Sequence, residues 1–280
     1  MTSNACQPTL PEDVMGYIIM FICDSQGLAA ASLLCRHFRH RARERYLEIP
    51  HRFLPLEHEW DFRLTDDETS SEFSDVKDTH GDVKAELRGT ARKSKDGLEM
   101  TDVDADAEVW GWSELSPFEW GGEMSIEVCV KYNQLLEGSP VFDFAKQGSY
   151  TDYTMIMEID EVYLCNDGIT AGILFGIGRG DARDGPKYII AGEFDLNAWT
   201  HVIVTAKGRF MRIYKNGELA GELDKGWEPQ VITRGMHYIG KSVDSPLDSP
   251  LDGSLKYLRI YEKALSSTEI RALYNANNNK

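Results

Sequence analysis

A two-residue alternation of apolar and polar side chains runs from about residue 60 to residue 261 and constrains the fold more than any other feature. It is plainest at 125–132 and at 210–214. Because successive side chains of a β-strand point to opposite faces of a sheet, this period indicates strands with one buried face. Asn216-Gly217 lies between two such segments and favours a tight hairpin turn. The pattern predicts a mainly β protein.

The predicted strands are short and are separated by turn residues, which is typical of a two-sheet antiparallel sandwich. They lie at 83–89, 97–100, 125–132, 140–145, 153–159, 170–177, 187–191, 199–206, 210–214, 218–223, 236–240 and 254–261. A short C-terminal helix is predicted after them. Ser266 and Glu269 have the spacing of a capping box, and Ile270 and Leu273 begin an apolar face.

The first fifty residues have a helical pattern instead. Val14, Ile18 and Phe21 recur at spacings of four and three, which predicts a small all-α segment at 9–47. Pro50 and Pro55 punctuate the residues that follow. The sequence therefore predicts a helical segment at 9–47, a linker at 48–58 and a sandwich domain at 59–277.

The charge is divided as unevenly as the pattern. Residues 1–55 carry six arginines and five acidic residues, which gives a net charge of +1. Because the whole chain has a net charge of −16, residues 56–280 have a net charge of −17. A strongly acidic domain disfavours nucleic acid and anionic membrane surfaces as partners. The five cysteines are an odd number without metal-type spacing, and no signal-peptide pattern opens the chain. We therefore expect a cytoplasmic or nuclear protein.

The N-terminal segment resembles an F-box. The resemblance is carried by Leu10-Pro11-Glu12-Asp13-Val14, then Ile18 and Phe21, then Leu28 and Ser32-Leu33-Leu34-Cys35-Arg36-His37-Phe38. It implies docking on a Skp-type adaptor of a cullin–RING ubiquitin ligase. The implied partner-binding residues are Leu10, Pro11, Val14, Ile18, Leu28, Leu34, Cys35 and Phe38. The alternative is a structural helical cap.

The rest of the chain resembles the LamG-like jelly rolls of the concanavalin A-like lectin/glucanase superfamily. The motifs that carry this resemblance are Trp199-Thr200-His201-Val202-Ile203-Val204-Thr205, Met211-Arg212-Ile213-Tyr214-Lys215-Asn216-Gly217, Tyr238-Ile239-Gly240-Lys241-Ser242 and Leu251-Asp252-Gly253-Ser254-Leu255-Lys256-Tyr257-Leu258-Arg259-Ile260-Tyr261. The resemblance covers about 215 residues. It implies a jelly roll that recognises a glycan, a glycoprotein or another protein ligand.

An acidic segment at 158–161 tests whether the chain resembles the hydrolases of that superfamily. Their retaining members place three acidic residues on one strand face, where two carboxylates act as nucleophile and acid/base. Glu158 and Asp160 share a face, but the next position on it is Val162, and a bulged register leads to Tyr163. The acid/base is missing in either register. We therefore predict no enzyme activity and keep a glycoside hydrolase as a distant alternative.

The resemblance also implies a structural calcium in many members, with an aspartate ligand just before the aromatic residue of the last strand. Lys256 stands at that position here. Because an ammonium group cannot coordinate calcium, we predict no cofactor and no metal, and disfavour a structural calcium ion.

Three of the six tryptophans are the candidate ligand contacts, because sugar-binding sites use aromatic faces, and the alternative for them is packing at the ends of the sheets. Trp110 and Trp112 share one face of a strand, and Trp227 lies in a loop, whereas Trp199 is predicted to be core. The overall prediction is a non-enzymatic adaptor with a lectin-like jelly roll and an F-box-like segment. The alternative is a stand-alone binding module.

Overall fold

Eighteen antiparallel strands and one helix make up the described part of the protein. The computed structural model describes residues 54–65, 75–101, 110–146, 161–167, 170–179, 185–243 and 250–278. The predicted helical segment 9–47, with all eight of its partner-binding residues, and the predicted strand at 153–159 lie outside these ranges. The described residues confirm the mainly β prediction and the C-terminal helix.

Sheet A has eight strands. Its order is β15-β14-β13-β8-β18-β5-β4, and β1 also pairs with β18. The strands are β1 (Leu56–Asp61), β4 (Arg92–Ser94), β5 (Gly97–Met100), β8 (Met124–Tyr132), β13 (Thr200–Lys207), β14 (Phe210–Lys215), β15 (Glu218–Leu223) and β18 (Gly253–Tyr261). Strand β1 begins inside the segment predicted as a linker, because Leu56 already pairs with Tyr261.

Sheet B also has eight strands, in the order β12-β11-β10-β9-β17-β6-β3-β2. They are β2 (Asp75–Lys77), β3 (Lys84–Arg88), β6 (Trp112–Leu115), β9 (Pro140–Ala145), β10 (Glu161–Asn166), β11 (Gly172–Ile177), β12 (Lys187–Glu193) and β17 (Met236–Ile239). The two-sheet prediction lacked a third, two-stranded sheet C, formed by β7 (Phe118–Trp120) and β16 (Ile232–Arg234).

The hairpin predicted at Asn216-Gly217 joins β14 to β15. Both residues have positive φ angles, 50° and 81°, and Lys215 pairs directly with Glu218. Asn216 also accepts a hydrogen bond from the backbone N–H of His201 through Oδ1 at 3.0 Å. The turn therefore fixes the register of two strands of sheet A.

The core lies between sheets A and B. Phe142 and Phe144 stack within it, with ring centroids 4.9 Å apart. One end of the core is polar: Trp120 Nε1 donates to His237 Nε2 at 3.1 Å, and Arg234 donates to the Trp120 carbonyl at 2.9 Å. Burial, together with the charges of Arg234 and His58, lowers the pKa of His237 to about 3. His237 is therefore neutral in the folded protein.

The chain divides into two compact units, and Pro55–Ser267 contains the sandwich. The other unit includes the helix α1 (Ser267–Asn278), which begins directly after Ser266 and has Glu269 in its first turn. Ile270, Leu273 and Ala276 are its buried residues and recur at a spacing of three. The apolar face predicted for this helix is confirmed.

Candidate functional site

One row of side chains crosses the outer face of sheet B, which is opposite the core, on all eight strands. Asp143 lies between the core residues Phe142 and Phe144, and therefore its side chain points outward. Tyr163 and Tyr238 alternate with buried neighbours in the same way. The register gives the row, from β12 to β2, as Tyr188, Gly176, Tyr163, Asp143, Tyr238, Glu114, Glu86 and Asp75.

Tyr163 lies over a glycine of the neighbouring strand. A Cβ atom added to Gly176 would be 2.2 Å from Cζ of Tyr163, far inside contact distance. The phenol ring therefore extends along the sheet across Gly176, toward β12. This arrangement presents an aromatic surface near the centre of the row.

Asp143 is held in place between the two tyrosines. Its register partners are Tyr163 on one side and Tyr238 on the other. Its Oδ2 atom accepts a hydrogen bond from the backbone N–H of Val243 at 2.7 Å and one from Ser242 Oγ at 3.4 Å. These hydrogen bonds fix the orientation of the Asp143 side chain, which is buried on this face.

Beside Asp143, two aromatic rings and one ammonium group form a cluster. The rings of Trp112 and Tyr238 meet edge to face with centroids 4.9 Å apart. Lys241 Nζ lies 4.3 Å from the Trp112 centroid and 5.1 Å from that of Tyr238. Burial, followed by the charges of Glu114 and Asp143, raises the pKa of Tyr238. The Tyr238 hydroxyl therefore keeps its proton and can donate a hydrogen bond to a ligand.

A second carboxylate faces outward on β10. Glu161 is two residues from Tyr163 and lies opposite Ala145, so it is a diagonal neighbour of Asp143. Glu158 and Asp160, the two acids of the predicted hydrolase motif, lie outside the described residues. The sequence predicted that Glu161 points to the face opposite Glu158 and Asp160. In the structure, Glu161 lies on the outer face, which carries the aromatic row.

The three predicted ligand contacts do not form one group. Trp112 lies beside the row and contacts its Tyr238. Trp110 precedes Trp112 in the chain, and its backbone carbonyl packs against Gly89. Trp227 instead contacts Arg179, after β11, and Lys187, on β12, at 5.4 and 5.0 Å. Strands β17, β9 and β10 separate β6, which carries Trp112, from β11, so these two strands are about 19 Å apart at about 4.8 Å per strand. Trp112 and Trp227 therefore contact different parts of the sheet.

Trp199 was predicted to be core, and the structure corrects this. Its ring is partly exposed, with Lys131 Nζ at 5.2 Å and Lys256 Nζ at 4.5 Å from the centroid. The prediction assigned Trp199 to the core because an apolar strand follows it. Trp199 precedes that strand, β13, and lies on the outer face with His201, whereas Thr200 and Val202 lie on the core face. Lys256, predicted at the calcium-ligand position, directs its ammonium group at this ring.

Sequence reasoning missed Asp143, Tyr163, Tyr238 and Lys241. Two of their segments, 140–145 and 236–240, were predicted as strands, and alternation with Phe142, Phe144 and Ile239 indicated which side chains face outward. The missing information was the strand order, which brings β10, β9 and β17 together.

Within the described ranges, no group of three or more His, Cys, Asp or Glu side chains could hold a metal ion. The described helix is not long and apolar enough to cross a membrane.

Comparison with solved structures identifies the same architecture. Domain 4 of AbnA, a GH43 extracellular arabinanase from Geobacillus stearothermophilus solved with arabinotriose, has a TM-score of 0.56 at 17% identity, over 79% of this chain and 98% of that domain. Trypanosoma rangeli sialidase has a TM-score of 0.55 at 16% identity, over 80% of this chain but 33% of the sialidase. This chain therefore matches only a third of that enzyme.

A third similar structure is that of botulinum neurotoxin type C, whose cell entry depends on interaction with two ganglioside molecules. Its TM-score is 0.55 at 16% identity, over 79% of this chain and 51% of the toxin chain. At these identities the likeness establishes the fold alone. No curated protein matches the chain. The Laminin G family model of the concanavalin A-like lectin/glucanases superfamily matches residues 111–271, more than half of the sequence, and the chain belongs to that superfamily.

Proposed function

We propose that this chain is a non-enzymatic saccharide-binding protein that holds its ligand on the outer face of sheet B. The observation that carries the proposal is the row in which Asp143 lies between Tyr163 and Tyr238. Aromatic rings offer apolar faces to the C–H groups of sugars, and Asp143, which is only 4% exposed, lies between the two rings. Trp112 extends the aromatic surface beyond Tyr238.

Preorganisation supports the same proposal. Gly176 leaves room for the Tyr163 ring, and Val243 and Ser242 orient Asp143 before any ligand arrives. A site that is already ordered loses less conformational entropy on binding. The row therefore has the properties of a recognition surface on a rigid sheet.

A binding role is favoured over hydrolysis because the set of carboxyl groups is incomplete. Glycoside hydrolysis needs one carboxyl group that keeps its proton and a second that is ionised. The acid/base of the retaining hydrolases has no counterpart on the Glu158–Asp160 face, because Val162 or, in a bulged register, Tyr163 stands at its position. The absence of turnover remains a prediction.

The similar structures add support at the level of ligand class. The arabinanase domain was solved with arabinotriose, and the neurotoxin interacts with gangliosides. Both ligands contain saccharides.

The adaptor part of the proposal rests on the sequence of residues 9–47. If this segment is an F-box, the chain brings a saccharide-bearing protein to a cullin–RING ligase in the cytoplasm or nucleus. Co-purification of the intact chain with a Skp-type adaptor, lost in a Leu10→Asp/Pro11→Ala variant, tests this part. Retention of the adaptor by that variant, or its absence from the intact protein, would refute the adaptor role and leave the saccharide role standing.

The saccharide role is tested on a glycan array that includes arabinotriose, followed by calorimetry of the best ligand. Tyr163→Ala and Trp112→Ala should each weaken binding at least tenfold. The matched control is Phe210→Ala, because Phe210 is an exposed aromatic residue on sheet A. Equal affinity of all three variants and the parent protein would refute the proposed face. Release of a shorter sugar from the bound ligand would refute the non-enzymatic role.

A further inference from the structure

Three side chains meet on the outer face of sheet A, away from the saccharide face proposed above. Lys131 is on β8, where it shares the outer face with Glu127 four residues earlier. Trp199 directly precedes β13, whose Thr200 pairs with Val130. Lys256 belongs to β18, the other neighbour of β8. Strand pairing therefore brings residues far apart in sequence to one place.

Both ammonium groups are directed at the same indole ring. The Nζ atoms of Lys131 and Lys256 lie 5.2 and 4.5 Å from the Trp199 centroid, so they are no more than about 10 Å from each other. Two like charges this close repel each other, and the cation–π contact offsets part of the repulsion. The indole ring is partly exposed and remains accessible to a ligand.

These lysines differ from the cations of the sandwich that are held by carboxylates. Such ion pairs are formed by Arg63, Arg88, Arg92, Lys207, Arg212, Lys215 and Arg259. Lys131 and Lys256 form no ion pair with any described residue. In a chain with a net charge of −16, these two ammonium groups stand together on one indole ring and are not paired with a described carboxylate.

Carboxylates on the same face are already engaged. Glu127 is about 14 Å from Lys131 along the strand, at about 3.4 Å per residue. It accepts hydrogen bonds from Tyr261 at 2.6 Å and from Arg259 at 3.3 Å. Asp252 accepts one from Asn133 Nδ2 at 3.0 Å. The positive charge of the lysine pair is therefore available to a ligand.

We propose that Lys131, Lys256 and Trp199 form a second binding site, which recognises the anionic group of an acidic saccharide. A carboxylate or sulfate would lie between the ammonium groups, and the sugar ring that carries it would contact the indole. The saccharide part of this proposal rests on the proposed function, whereas the anion part rests on the lysines alone. A neutral sugar would lack the ionic contacts and would bind this site more weakly.

The test uses the full chain and three probes: trigalacturonate for the carboxylate, a sulfated trisaccharide for the sulfate, and inorganic sulfate alone. Lys131→Gln/Lys256→Gln should weaken binding of at least one anionic trisaccharide tenfold or more. The parent affinity should fall as salt rises, because ionic contacts at a surface are screened. Lys207→Gln is the matched control, since Lys207 is an exposed lysine of sheet A that is paired with Glu123.

A second measurement locates the anion and is independent of saccharide affinity. The indole N–H signal of Trp199, assigned by Trp199→Phe, should shift with an anionic probe in the parent protein and in Lys207→Gln, but not in the double variant. A shift with inorganic sulfate alone would support the anion site even if no saccharide binds the face of sheet B. An unchanged Trp199 signal with all three probes, or unchanged affinities in the double variant, would overturn the proposal.

Discussion

The outer faces of sheets A and B both carry polar residues at alternate positions, but the two faces differ in how far these residues are buried. On sheet A, the Glu127 carboxylate is completely buried and is bonded to His201, Arg259 and Tyr261. On sheet B, Tyr188 is 57% exposed, and Tyr163 and Tyr238 are partly exposed. One face therefore contains a closed ion network, and the other an accessible aromatic row.

The difference shows that the same strand alternation serves two purposes. A buried carboxylate must be neutralised by several partners, because its transfer out of water is costly. Burial alone would lower the pKa of Arg259, but Glu127, Tyr261, Tyr257 and Glu59 together outweigh burial and raise that pKa. The polar residues of this network on sheet A therefore hold β8, β13 and β18 together. On sheet B the carboxylates of Asp143 and Glu161 are also buried, but the tyrosine rings of the row remain available to a ligand.

The largest expected effect comes from breaking the sheet A network. Glu127→Ala should lower the free energy of unfolding by about 3 kcal/mol, because it removes the buried acceptor of Tyr261 and one of the two carboxylates that pair with Arg259, the other being Glu59 at 2.6 Å. Urea unfolding of the parent and variant proteins measures this loss. A loss below 1 kcal/mol would mean that the network is solvated and that the two faces do not differ as described.

The next effect concerns the inner side of sheet B, where His237 is neutral because its pKa is lowered to about 3. As pH falls below about 6.5, the unfolded chain takes up a proton that the folded protein does not, so stability is lost between about pH 6.5 and pH 3. His237→Gln keeps an acceptor for Trp120 but does not titrate. Between pH 7 and pH 5, the parent should lose about 2 kcal/mol more than this variant.

Denaturant titrations at both pH values provide the measurement. Ser113→Ala, at another fully buried polar position of sheet B, serves as the control and should follow the parent pH dependence. Parallel losses in the parent and in His237→Gln would show that His237 takes up its proton in the folded state. The polar end of the core would then be open to water.

A smaller change in stability is expected on the open face. Gly176→Ala forces the Tyr163 ring away from the sheet, because the new Cβ would lie 2.2 Å from Cζ. An accessible ring can move toward solvent, so the loss should be about 1 kcal/mol, the low end for overpacking. Binding of the saccharide should nevertheless fall at least tenfold. Thermal unfolding and calorimetry separate the two effects, and a loss of stability without loss of binding would exclude Tyr163 from the site.

Local pattern accounts for most of the fold. Strands β5, β9 and β15 have the predicted bounds, and the Asn216-Gly217 turn has the predicted positive φ angles. These features depend on side-chain period and turn chemistry within a few residues, which a sequence displays directly.

The candidate sites depend on contacts that a sequence does not display. Glu127 and Arg259 are 132 residues apart, and alternation predicts that both face water. Trp199 had the neighbours of a core residue but stands on the outer face of sheet A. The row through Tyr163, Asp143 and Tyr238 requires the order of β10, β9 and β17, which only the folded sheet provides.

The smallest effect is expected for an ion pair on the exposed hairpin of sheet A. Arg212 and Glu222 pair between β14 and β15, and both side chains are about one third exposed. Glu222→Gln should therefore cost no more than about 0.5 kcal/mol, and 1 M salt should remove the difference, because solvent screens such pairs. Urea unfolding with and without salt makes the measurement. A loss as large as that of Glu127→Ala would show that burial is not what separates the sheet A network from an ordinary surface pair.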